Sequence, residues 1–274
     1  MELLTSRDIQ VGSLEVLKKI DEVCKQLNLR YYLAYGTLIG AIRHSGFIPW
    51  DDDIDIMMPR YDYDKLVNYF IENKDELRPY EIINPMVNNK CPYTISRISD
   101  SRYKLIVDNE EDYGIGLFVD IYPLDGAGNS EKEYKRLKNI SSMLASLCFL
   151  STRKSVKREN TKSNIKYLIK FPAFVLSKII GKNFLMKKLY NMASKCDYDN
   201  SKYIGCIIWA SDDGLRGIFP KSWFDEIIDV EFEGYYFKAP KDYDLVLKHG
   251  YGDYMKLPDE KDRIGHHYYD AYRV

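Results

Sequence analysis

Residues Ala34–Met58 read AYGTLIGAIRHSGFIPWDDDIDIMM, and the end of this stretch decides the fold. Asp53-Ile54-Asp55-Ile56 alternates with the period of a strand, so Asp53 and Asp55 fall on one face, their Cα atoms roughly 6.5–7 Å apart. Ile54 and Ile56 point the other way, into a core. Two carboxylates fixed side by side by a buried strand repel each other unless a cation stands between them. Hard divalent ions take carboxylate oxygens and bring substrate phosphates with them. The stretch reads as a metal and phosphate site, with Mg²⁺ or Mn²⁺ as the expected ion.

Upstream, the apolar run Tyr31–Ala34 predicts a strand and Thr37–Arg43 a short helix. Gly36 at their junction lets a phosphate approach the backbone, and the first turn of the helix offers free N–H groups. The Thr37 hydroxyl either caps that helix or contacts phosphate. A strand followed by Gly-Thr, then Asp-x-Asp on the next strand, is the pattern of the nucleotidyltransferase superfamily. The longer match, Gly36-Thr37-Leu38-Ile39-Gly40-Ala41-Ile42-Arg43-His44 with Gly46-Phe47-Ile48-Pro49-Trp50-Asp51-Asp52-Asp53-Ile54-Asp55, resembles the LicD family, which includes the fukutin-type transferases. Tyr251-Gly252-Asp253-Tyr254-Met255-Lys256-Leu257-Pro258 is a second family-like block, departing from the pattern at Asp259, where a second proline commonly follows.

The whole chain sets bounds on this reading. It has 274 residues, 45% of them apolar, enough for a sizeable globular core. The net charge is −1, but residues 153–190 hold eleven Lys/Arg and one acid, Glu159, which leaves −11 for the rest. That balance speaks against a general nucleic-acid-binding surface and for a local anionic partner. Five cysteines, an odd number with no Cys-x-x-Cys, argue against a disulfide framework or zinc knuckle and fit a reduced cytoplasm. The start lacks the basic and apolar regions of a signal peptide, and no run is long enough to span a bilayer.

In chain order, Ser6–Leu27 carries a helical apolar stripe (Leu14, Leu17, Cys24 and Leu27, with Ile20 and Val23 filling it), and Asp62–Leu77 predicts a second helix. Tyr80–Ile83, Tyr93–Ile98 and Tyr103–Val107 read as strands of a meander. Asp120 interrupts the apolar strand Leu117–Leu124, and a lone buried carboxylate needs a partner. Ser130–Leu150 is helical. The basic segment 151–190 mixes lysines with large apolar residues, as an interfacial segment does, or as a solvated helical pair does. Beyond it come a strand at Tyr203–Ile208, a hairpin at Val230–Phe232 and Tyr235–Phe237, and a helix near Tyr243–His249.

The expected fold is α/β (α+β), a nucleotidyltransferase-like mixed sheet flanked by helices. One LicD-type domain spans 1–274, with the catalytic core in about 1–130, a basic helical insertion at 151–190 and a C-terminal part at 200–274. The resemblance implies Asp53, Asp55 and Asp120 as catalytic residues and metal ligands. Gly36, Thr37 and Arg43 would hold donor phosphates, with His44 and Arg97 as further candidates. Arg97 reaches phosphate or pairs with Asp100, and His266 and His267 cap the site from the C-terminal side. The resemblance also implies transfer of a phospho-alcohol, with phosphocholine the leading precedent, from a CDP-activated donor such as CDP-choline. The acceptor it implies is a sugar hydroxyl of a teichoic acid, capsular polysaccharide or lipopolysaccharide precursor, free or lipid-linked. Such an enzyme works in the cytoplasm, peripheral to the inner face of the membrane, with residues 153–190 toward anionic lipid. Two other classes fit the residues: an Asp-x-Asp glycosyltransferase using a sugar nucleotide, and a non-catalytic membrane-associated partner. A calcium EF-hand fits badly, because a loop begun at Asp51 has Ile56 at its glycine position and Asp62 at its final Glu position.

Overall fold

A computed structural model describes residues 2–155, 164–209, 214–263, 265 and 269–274. The elements in order are β1 (Glu2–Leu3), α1 (Ser6–Leu27), β2 (Tyr32–Leu33), α2 (Tyr35–His44), β3 (Asp55–Pro59), α3 (Arg60–Glu72), β4 (Tyr80–Ile83), β5 (Ser96–Asp100), β6 (Tyr103–Val107) and β7 (Leu117–Gly126). The second half holds α4 (Glu131–Thr152), α5 (Asn164–Ile180), α6 (Lys182–Ala193), β8 (Tyr203–Gly205), β9 (Ile218–Pro220), β10 (Ile227–Phe232), β11 (Tyr235–Pro240), α7 (Tyr243–Tyr251) and β12 (Tyr269–Arg273).

α1 starts at a capping box. The Thr5 hydroxyl accepts the Asp8 N–H, and the Asp8 carboxylate accepts the Thr5 N–H. It stops at Asn28, whose left-handed backbone (φ 53°) closes the last turn. Its predicted stripe is buried at Leu14, Leu17, Ile20, Val23 and Cys24 and partly buried at Leu27. α1 and α3 cover one face of the main sheet, against Ile54, Ile56, Met58, Val119 and Ile121. α4 and α6 cover the other, where Phe118, Tyr122 and Leu124 meet Ala145, Cys148, Met186 and Leu189.

The main sheet runs β2-β3-β7-β5-β4, with β8 joining the end of β7 and β9 beyond it. β3 and β7 are parallel, and the other pairs are antiparallel. This is the mixed α+β sheet expected. Asp53 lies just ahead of β3 rather than in it. Tyr103–Val107 is not part of a meander: β5 is already flanked by β4 and β7, so β6 has no free edge there and pairs with β12. The buried Asp100 carboxylate turns the chain at this point, accepting the Arg102 N–H (2.9 Å) and its guanidinium (2.6 Å). In the basic segment, residues 156–163 lie outside the described set, and α5 and α6 bear out the helical reading of the remainder.

The loop that feeds the aspartates is clamped from both sides. On α2, a Cβ at Gly40 would meet the Gly46 carbonyl at 2.4 Å, so only glycine admits this close approach. From the C-terminal side, Glu233 in the β10–β11 turn donates its N–H to the Ser45 carbonyl (2.9 Å). Its carboxylate accepts the Phe47 N–H (3.2 Å) and the Arg7 guanidinium (2.7 Å).

Because the obstacle at Gly40 is backbone, Gly40→Ala should lose about 1–3 kcal/mol of stability despite alanine's better helix propensity. Urea denaturation checks this, and a variant as stable as the parent would refute the close packing.

Candidate active site

The register of three strands assembles the site. Asp55 on β3 is the direct partner of Asp120 on β7, and Asp120 is the direct partner of Arg97 on β5. One rung of the sheet therefore reads carboxylate, carboxylate, guanidinium, all buried and on the face that carries Phe118 and Tyr122. Arg97 grips Asp120 with both arms, Nε to Oδ1 at 2.5 Å and Nη2 to Oδ2 at 3.2 Å. Its third nitrogen donates to the Tyr113 hydroxyl (3.2 Å). Its plane is sandwiched between Tyr93 (3.8 Å) and Phe118 (4.0 Å). Trp209 stacks on the Tyr93 ring in turn (6.2 Å, 23°).

α2 delivers the second side of the site. Its N-terminus is tied to β3 because the Asp55 N–H donates to the Thr37 hydroxyl at 2.8 Å and the Ala34 N–H to the Asp55 carbonyl at 3.0 Å. The hydroxyl proton of Thr37 stays available to a ligand oxygen. Tyr35, left-handed at φ 46°, sets its ring edge-on to Tyr122 (5.0 Å). A Cβ on Gly36 would sit 2.5 Å from the Asp51 carboxylate, so glycine here makes room for an acid that the motif reading left out. Asp51 and Asp53 interact closely enough that each shifts the other's pKa.

Electrostatics follow from this crowding. Burial, then Asp53, pushes Asp51 from the ordinary 3.8 to about 8. Burial likewise raises Asp53, and it raises Asp55 well above the usual range, with Asp53 and Asp120 adding to the effect. Asp120 is raised by burial while Arg97 pulls it back. Among the described residues no three acids, histidines or cysteines converge as a ready-formed metal cage. The donor set nevertheless suits a hard divalent ion. It is a cluster of carboxylates with Arg97 as a cationic neighbour, and Asp120 keeps lone pairs that the fork of Arg97 does not use.

Of the sequence candidates, the structure brings Gly36, Thr37, Asp53, Asp55, Asp120 and Arg97 together. Arg97 faces Asp120, not Asp100, which is bound by Arg102. Its guanidinium holds the Asp120 carboxylate with two of its nitrogens. Arg43 and His44 lie at the far end of α2, about 9 Å along its axis from Thr37. There Arg43 donates to the Tyr254 carbonyl (2.6 Å) and to His44 Nε2 (3.0 Å). Burial and Arg43 lower the His44 pKa, which favours the neutral ring that accepts this bond. Arg43, Trp50, Tyr251, Tyr254 and Lys256 line a cleft of about 440 Å³, in which the two family-like blocks meet. His266 and His267 lie outside the described residues. Asp51, Tyr113 and Tyr122 were missed. For Asp51 the signal was there, since Asp51, Asp53 and Asp55 continue one alternation.

A family model described as LicD/FKTN/FKRP, nucleotidyltransferase domain, matches residues 28–136. The lipopolysaccharide cholinephosphotransferase LicD of Haemophilus influenzae is 32% identical over 282 aligned positions, covering 99% of this chain and 99% of its own. The uncharacterised protein RP689 of Rickettsia prowazekii is 45% identical over 42 residues, 15% of this chain and 16% of its own.

Two outcomes test the site's electrostatics. An acid whose folded pKa is raised takes up protons on folding. The stability it allows is complete below the ordinary 3.8 and is lost as pH climbs toward about 8. Asp51→Asn should therefore melt a few degrees above the parent at pH 8 without divalent ions, with the gap narrowing as pH falls to 5. Breaking the buried pair with Arg97→Met should cost about 3–5 kcal/mol in urea denaturation, and adding Asp120→Asn should recover part of it, because the bare buried charge is the larger penalty.

Proposed function

The chain belongs to the LicD family, and from that premise we propose that it is a phospho-alcohol transferase, moving phosphocholine from CDP-choline to a sugar hydroxyl of a cell-surface glycan precursor and releasing CMP. The observation that carries this reading is the end-to-end similarity to a lipopolysaccharide cholinephosphotransferase, together with the intact rung Asp55, Asp120, Arg97 at the centre of the sheet. Lipopolysaccharide is the acceptor class the relative suggests, and teichoic acid or capsular precursors present the same hydroxyl chemistry. This reading places the enzyme in the cytoplasm, in keeping with five cysteines of which none is paired among the described residues.

The acceptor oxygen attacks the phosphorus of the phosphocholine unit, the new O–P bond forms, and the P–O bond to CMP breaks in line with it. Asp120 takes the acceptor proton. Burial raises its pKa, which strengthens it as a base, and Arg97 holds its carboxylate in one orientation. The Thr37 hydroxyl and the N-terminus of α2 face the donor phosphates, and Arg43 in its cleft holds the nucleotide end. Asp53, Asp55 and Asp120 would hold Mg²⁺ or Mn²⁺, which when bound neutralises diphosphate charge and eases departure of CMP. Among the described residues no helix is long and apolar enough to cross a membrane.

Calorimetric titration with CDP-choline, CDP-ribitol, CDP-glycerol and UDP-glucose, each with and without Mg²⁺, tests the assignment. Metal-dependent binding of CDP-choline supports it. Binding of UDP-glucose alone would replace it with the glycosyltransferase reading. Asp53→Asn and Asp120→Asn should each lower the rate of CMP release by about 10³-fold or more while leaving the circular dichroism spectrum intact. A folded variant with full activity would remove that residue from the chemistry.

A further inference from the structure

α5 presents its outer face to solvent, and that face is apolar. Phe171 (48% exposed), Val175 (42%), Leu176 (50%) and Ile179 (77%) fall within one arc of the helix, and Phe184 (61%) on α6 continues it. An exposed cluster of large apolar side chains marks a surface that is covered in use. The surrounding charge is of one sign. Residues 164–193 hold six lysines and no acid, with Lys170, Lys178, Lys187 and Lys188 exposed, whereas everything outside 153–190 sums to −11. At 17 residues, interrupted by lysines and Pro172, α5 is too short to cross a bilayer.

We infer that the α5–α6 face docks in the plane of an anionic membrane. Phe171, Val175, Leu176, Ile179 and Phe184 seat in the headgroup–acyl boundary and the lysines lie on the phosphates. The acidic remainder is repelled by the same surface, so the charge asymmetry also orients the molecule. A second copy fits the face less well, because a two-fold contact would set lysine rims against each other. Docking would bring the membrane near the chemistry. Lys170 of α5 shares a cleft of about 520 Å³ with Phe149, Tyr93 and Trp209, and the other face of Tyr93 covers Arg97. A lipid-borne acceptor would enter beside that stack. The inference extends the transferase reading but does not depend on it, since lipid binding is read without any substrate.

The test is co-sedimentation of the full chain with sucrose-loaded vesicles of phosphatidylcholine, with and without about 30 mol % phosphatidylglycerol. Partitioning should be at least tenfold stronger on the anionic vesicles and should fall when NaCl rises from about 0.1 M to about 0.5 M. Phe171→Ser/Ile179→Ser should weaken it at least tenfold with an unchanged melting temperature, and Tyr236→Ser on the exposed hairpin should leave it unaltered. Should the double serine variant unfold, Lys178→Glu/Lys188→Glu carries the test, with the same loss expected. Equal binding to neutral and anionic vesicles, or binding indifferent to these face substitutions, would overturn the inference. So would a dimer in analytical ultracentrifugation that the same substitutions dissociate.

Discussion

Asp55 and Asp120 repel each other, yet the parallel pairing of β3 with β7 leaves them no alternative to lying side by side. The sheet tolerates this rung because Arg97 sits next along it and binds Asp120 with both arms of its fork. Much of the rest can be understood as support for that one arrangement. Tyr93 and Phe118 hold the guanidinium flat, and Tyr113 takes its remaining nitrogen. Ile54, Ile56, Val119 and Ile121 anchor the same two strands from the opposite face, so the acids cannot move apart without opening a core.

Among the described residues Asp55 has no such partner, and Asp53 and Asp51 crowd it with further carboxyl groups. A site built with more anions than cations is arranged for something it does not itself supply. The protein spends stability there and recovers it in the clamps around the Asp loop: the Gly40–Gly46 approach, Glu233 from the β10–β11 turn, and the Thr37 bond to the first residue of β3. C-terminal residues far away in sequence are thus part of the machinery that holds the motif, and Arg43 against Tyr254 repeats the pattern at the other end of α2.

The period-two alternation at Asp53–Ile56, the stripe of α1 and the solitary charge of Asp120 in an apolar strand were legible, since each is a local pattern with a local cause. Partners set by register were not. Nothing near Arg97 says that it faces Asp120 rather than Asp100, since that depends on which strand takes which edge of β5. The misplacement of β6 has the same origin. Asp51 shares the alternation of Asp53 and Asp55, but the room for its carboxylate comes from Gly36, fifteen residues upstream, and that contact is not a local pattern.

The stack beside Arg97 has an optical consequence. The chain holds three tryptophans. Trp209 lies on the Tyr93 ring that covers Arg97, Trp50 lines the Arg43 cleft beneath Arg263, and Trp223 packs on His249. Indole emission shifts with the polarity and charge around the ring. The molecule therefore carries one built-in fluorophore at each end of α2's site and a third as an internal reference, and single-tryptophan variants would report separately on the two halves of an incoming ligand.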